Sequence, residues 1–182
     1  MTLFTRDDVN AVVANCPNAK SALYVQLASY LWYQQQELLK LRFADVLETP
    51  LQGPAGILVE LPASVMEDVR YEMKRCQLEP TDLIFRSDRA GDVCGERTIS
   101  PKYFARVVRQ ASIDAGLATV IHHRHLRQVW AKEYVESVVD KERIERLAQV
   151  QLVLKLNSMS TVAEHLSIDY KGKRGQYALA SR

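Results

Sequence analysis

The chain has 182 residues, 47% hydrophobic and 25% charged, with a net charge of +2: enough apolar material for one buried core, and too much for a disordered chain. No apolar run approaches the roughly 20 residues that cross a bilayer, and Arg6, Asp7 and Asp8 interrupt the stretch where an export signal would lie. A single cytoplasmic domain over 1–182, without membrane association, is the expectation.

Thr5-Arg6-Asp7-Asp8 is a helix-capping pattern, so a short helix is predicted to Ala14, broken by Cys16-Pro17-Asn18. From Ala19 to Leu39 the apolar residues Ala22, Leu23, Leu27, Tyr30, Leu31 and Leu38 recur at helical spacing, which predicts one long, mostly buried helix. Leu41 to Leu47 shifts toward strand character. Pro50, Gly53, Pro54 and Gly56 mark a tight connection, and Ile57 to Leu61 is a second strand, ended by Pro62; together they predict a small antiparallel sheet. Ala63 to Cys76 returns to helix, Asp82-Leu83-Ile84-Phe85 is extended, and polar residues 87–97 form a loop. Ser100 as N-cap and Pro101 at the first helical position open a helix that runs to Ala115 and stops at Gly116. Further helices are predicted from about His125 to Val139, Glu142 to Leu154 and Thr161 to Leu166, followed by a basic tail over 167–182 with a final short element over 176–180. The fold class expected is α+β, mainly helical, with one small antiparallel sheet.

Charge is unevenly spread. Residues 1–100 carry 10 Lys/Arg against 14 Asp/Glu, and residues 101–182 carry 14 against 8, together with all four histidines. A basic half of this kind suits a polyanion-facing surface, and equally a solvated face with no partner. Cys16, Cys76 and Cys94 are odd in number, far apart and without ligand spacing, so they read as free thiols; neither a metal nor a cofactor is expected.

Three segments in order resemble the catalytic domain of the tyrosine recombinases (phage integrase family). Glu37-Leu38-Leu39-Lys40-Leu41-Arg42-Phe43-Ala44-Asp45-Val46 is similar to that family's E-L-x-x-L-x-W-x-D-[VI] run. Asp82-Leu83-Ile84-Phe85, with the Ser100-Pro101 helix after it, is similar to the D-x-L-F strand and the helix that enters the DNA major groove. His125-Leu126-Arg127-Gln128-Val129-Trp130-Ala131 is similar to the H-x-L-R-x-x-x-A box, with its His offset by one residue. The resemblance spans about 19–166. The separate N-terminal helical domain with which the family encloses DNA is not expected here.

The resemblance implies a tyrosine nucleophile, two phosphate-clamping arginines, a hairpin lysine that protonates the leaving oxygen, and one or two assisting histidines. Most of these positions are degenerate here. The first arginine falls on Gln34, which carries no charge and no planar fork. No lysine occurs between Leu41 and Met73. Arg124 stands where a histidine is usual, Arg127 is the retained second arginine, the following His/Trp position is Leu156, and the nucleophile position is His165. The resemblance thus implies a DNA-binding protein, inactive in strand transfer, regulating or assisting a mobile element. One alternative is an atypical active recombinase using His165 or Tyr170; another is a protein-interaction scaffold that binds no DNA.

The partner implied is double-stranded DNA, with self-association through the C-terminal tail, or a partner protein, completing the half-clamp. Candidate DNA contacts are Lys102, Arg106 and Arg109, a stripe at i, i+4 and i+7 opposite the apolar Phe104, Val107, Val108 and Ala111. His122, His123, Arg124, His125 and Arg127 gather donors at a helix start, where an anion is favoured. Lys171, Lys173 and Arg174 form a basic arm. Ordinary imidazole values would make DNA binding weaken as pH rises above about 6.5. The bland reading of each is a solubilising helix face, a helix-start ion pair or a free tail.

Overall fold

In the computed structural model, residues 4–87, 97–138 and 140–168 are described. The order is α1 (Arg6–Ala14), α2 (Ala19–Tyr30), α3 (Gln35–Leu38), α4 (Phe43–Leu47), β1 (Leu51–Gln52), a 3-10 turn over Pro54–Gly56, β2 (Leu58–Val59), α5 (Ala63–Arg75), α6 (Pro101–Asp114), α7 (His123–Glu136), α8 (Asp140–Leu154) and α9 (Met159–Leu166). The class is mainly helical with one two-stranded antiparallel sheet, Leu51 pairing Val59 and Gln52 pairing Leu58.

Helix α2 is the axis of the core, packed on by α1, α5, α6 and α7. It is buried nearly all round, at Leu23, Tyr24, Val25, Leu27 and Ala28, as a helix enclosed by neighbours must be. Its start is capped by Asn18, whose side chain accepts from the Ser21 N–H at 2.9 Å. Arg6 ties three helices together: it pairs with Glu133 of α7, donates to the Ser29 hydroxyl and carbonyl, and lies 3.8 Å over the Tyr30 ring. The Thr5 cap of α1 forms as expected, with Asp8 returning a bond to the Thr5 N–H.

The long helix expected over 19–39 is two helices. α2 ends at Tyr30, Leu31 is extended, and α3 restarts at Gln35 with the Glu37 carboxylate accepting from the Gln34 N–H at 2.8 Å. The break buries Leu31 and Trp32 in the core and turns the carbonyls of Trp32 and Tyr33 toward α7, where side chains satisfy them. Tertiary partners thus outweigh a helical periodicity that continues in the sequence.

The strand expected over 41–47 is also corrected. Asp45 accepts from the Arg42 N–H at 2.7 Å and opens the short helix α4, while only Leu41–Phe43 pairs with the Asp82–Phe85 segment, which is not extended throughout as expected but bridges at Leu83 and turns at Ile84 and Phe85. That segment is bracketed on its other side by Ile99 donating to the Phe85 carbonyl. The sheet therefore joins 51–52 to 58–59 around the Pro54–Gly56 turn. α6 keeps its predicted Ser100 cap and its stop at Gly116, where φ is +71°.

Candidate functional site

Arg127 stands at the second turn of α7, half-buried. Its Nε donates to the Trp32 carbonyl at 3.0 Å and its Nη2 to the Val153 carbonyl at 3.4 Å, so it bridges the α2–α3 break to the end of α8. It makes no ion pair with a described residue. Burial lowers its pKa below the ordinary arginine value, and the Glu37 charge offsets part of that. Arg127 borders a cavity of about 590 Å³ walled by Trp32, Tyr33, Pro54, Ala55, Leu152 and Val153, with Gln34, Glu37 and Lys155 as its other polar lining. Two positions picked from the sequence, Gln34 and Arg127, therefore meet in one cavity.

The turn of the β-hairpin closes one wall of that cavity. Gln149 of α8 donates from its amide to the Ala55 carbonyl at 3.0 Å and accepts from the Tyr134 hydroxyl at 2.7 Å. Gly53 lies flat against the Trp32 indole, where an added Cβ would stand 2.7 Å from the ring. The hairpin is thus pinned by packing and hydrogen bonds, and it brings no lysine to Arg127.

His123 is an internal latch. Its Nε2 donates to the Tyr33 carbonyl at 3.1 Å, which leaves Nδ1 to accept from the Tyr24 hydroxyl at 3.0 Å. Burial, offset in part by the Tyr33 bond and reinforced by Arg127, pushes its pKa down to about 4. Both ring nitrogens are spent inside the protein, so His123 has none to offer an anion.

His122, Arg124, His125 and His165 form a second cluster, beside a cavity of about 430 Å³ that His122, His123 and Arg124 line together with Gln35, Ala105 and Val108. The His122 N–H points to Nδ1 of His125 at 3.2 Å, and Nε of Arg124 to its Nε2 at 3.2 Å. A neutral imidazole has one unprotonated nitrogen, so it accepts one of these. Burial, then the charges of Arg124, His122 and His165, lower the His125 pKa; burial and Arg124 lower that of His165. The pH window expected from ordinary histidines therefore moves down for these two. His165 accepts from the Gln128 amide at 2.6 Å, and neither it nor Leu156 lines the Arg127 cavity.

Leu156 has a structural task. α8 ends with Lys155 in the left-handed region (φ +55°), the Leu156 N–H bonding back to the Gln151 carbonyl at 3.1 Å and that of Lys155 to Leu152 at 3.3 Å. This is a Schellman end, in which the residue after the left-handed one packs on the core; Leu156 does so.

On α6, Lys102, Arg106 and Arg109 are all exposed and unpaired by described carboxylates, opposite buried Phe104, Val107, Val108 and Ala111. Tyr170, Lys171, Lys173 and Arg174 lie outside the described residues, as do Cys94 and the predicted element over 176–180. Cys16 and Cys76 are free thiols. No group of three His, Cys, Asp or Glu among the described residues is placed to hold a metal ion, and none of the described helices is long and apolar enough to cross a membrane.

Sequence reasoning missed Lys155, Gln128 and the two carbonyls of the helix break. The signal for Lys155 was its place beside Leu156, a position the sequence already singles out. The carbonyls had none, because nothing in a helical periodicity announces where a partner side chain will arrive.

No family model and no curated protein matches the sequence. The structure is similar to a solved structure of XerA recombinase, with a TM-score of 0.66 and 16% sequence identity over 91% of this chain. The chain spans 58% of the length of that recombinase. The fold is tyrosine-recombinase-like.

Proposed function

We propose that this protein, built on a tyrosine-recombinase-like fold, binds double-stranded DNA without transferring strands, and serves a mobile element as a regulatory or accessory factor. The observation that carries the reading is Arg127. A half-buried guanidinium that forms no ion pair with a described carboxylate and opens on a cavity, its charge offset only in part by Glu37 of the same lining, is a cation that a phosphate would satisfy once the lining as a whole is positive. Lys102, Arg106 and Arg109, exposed along α6, supply further phosphate contacts, and His122 and Arg124 sit close by, at the rim between α6 and α7.

The same geometry supports loss of chemistry. Gln34 gives the cavity half a clamp, the hairpin lacks an acid for the leaving oxygen, and the His165 lone pair is held by Gln128 outside the cavity. Removing one preorganised donor of this kind costs about 10²–10³ in rate.

Binding to a random-sequence duplex, measured with melting temperature on the same Arg127→Lys and Arg127→Ala proteins, tests the reading. Arg127→Lys keeps charge but loses the fork and should weaken binding by about 1–2 kcal/mol. Arg127→Ala should also cost stability, because the Trp32 and Val153 carbonyls lose their donor. If melting falls while the folded protein keeps its affinity, Arg127 is a structural strut and the phosphate reading fails.

A further inference from the structure

We infer that Lys155 is the second cation of the Arg127 cavity, standing in from α8 for the charge that Gln34 lacks; this rests on the DNA reading above. Two independent features of Lys155 lead there. It lines the cavity with Arg127, Gln34 and Glu37. It also occupies the left-handed position of a helix end, at φ +55°, where glycine is the residue without steric penalty.

Charge balance says what Lys155 does there. Without it the cavity would be lined by one cation, Arg127, and one carboxylate, Glu37, and would attract no anion on balance. Glu37 accepts from the Gln34 N–H, a bond that favours its place in the lining. Lys155 makes the lining net positive. A lysine suits the position, since its compact ammonium on a flexible stem reaches a phosphate oxygen without fork geometry. The bland account, a lysine placed to meet the dipole of α8, explains a cation near the helix end. It does not require one in the left-handed residue itself, where the backbone works against it.

The substrate class is a backbone phosphodiester of duplex DNA, gripped by Arg127 through its planar edge and by Lys155 as a point charge. The test uses the full chain and a short random-sequence duplex, titrated at several salt concentrations, with Lys155→Gly, Lys155→Gln, Lys155→Arg and Arg127→Ala in parallel. Lys155→Gly is the informative variant, because glycine relieves the backbone and leaves the helix end intact. Its melting temperature should not fall, yet its affinity should drop about five- to tenfold, with a salt slope shallower by about one. Lys155→Gln should lose the same affinity, and Lys155→Arg should stay close to the wild type. Wild-type affinity in Lys155→Gly with weakened Arg127→Ala overturns the role of Lys155 alone. Wild-type affinity in both overturns the phosphate cavity. Weakened Lys155→Gly beside unaffected Arg127→Ala puts Lys155 on DNA elsewhere and overturns the pairing.

Discussion

Replacing His123 by glutamine should flatten the acid sensitivity of the fold. In the neutral form this histidine joins the Tyr33 carbonyl to the Tyr24 hydroxyl, so it locks the start of α7 against the break between α2 and α3. Burial pushes its pKa from the usual 6.5 down to about 4. The folded state holds the neutral ring, and its contribution is therefore complete above pH 6.5 and is lost as pH falls toward 4. Between pH 7 and 4.5 the unfolded chain takes up a proton that the native state refuses, which amounts to about 2.5 kcal/mol. Glutamine can donate to one partner and accept from the other but cannot titrate. At pH 7 His123→Gln should be less stable than the wild type by about 1–2 kcal/mol, for imperfect bonds. By pH 4.5 that deficit should have closed or reversed. Urea unfolding of both proteins at several pH values measures the difference directly, because carboxylates and the remaining histidines contribute to both curves alike. Parallel stability curves from pH 7 to 4.5 would refute the latch.

The α6 stripe gives a second prediction: Lys102→Ala, Arg106→Ala and Arg109→Ala should each lower the salt slope of DNA binding by about one, while urea unfolding moves by no more than about 0.5 kcal/mol. Unaltered binding in the triple variant would assign the stripe to solubility. Gly53→Ala should destabilise by about 1–3 kcal/mol through overpacking against Trp32; the backbone there is extended (φ −109°) and accepts alanine, so unchanged stability would mean the hairpin is not pinned on the indole. Because His125 and His165 take up protons only below the ordinary imidazole value, their help to DNA affinity should appear as pH falls below 6.5. Affinity that declines mainly between pH 7 and 8 would contradict that placement.

Caps and stops were the most legible parts of the chain. Thr5, Ser100, Pro101 and Gly116 each carry a local reason for a helix to begin or end, and each boundary falls where that reason puts it. The break after Tyr30 was not legible, since Leu31 and Trp32 are as apolar as a continuing helix would want, and the partners that make the break tolerable come from α7. Asp45 hid a helix inside a strand-like run: its capping bond to the Arg42 N–H is a signal the β-branched and aromatic residues around it mask. At the candidate site, motif spacing brought Gln34 and Arg127 to one cavity. Spacing could not separate the histidines, because adjacent side chains at a helix start can face opposite surroundings. His123 turns inward to Tyr24 and Tyr33, and His122 stays exposed.

The central claim, DNA binding without strand transfer, is tested most directly on one nicked suicide duplex. The mixture is resolved first on a native gel across a salt series and then after denaturation in detergent. The account predicts a native shift that weakens steeply with salt and no detergent-stable protein–DNA species. A detergent-stable adduct lost in His165→Ala or Tyr170→Phe would contradict the absence of chemistry, and no native shift at any salt concentration would contradict the binding.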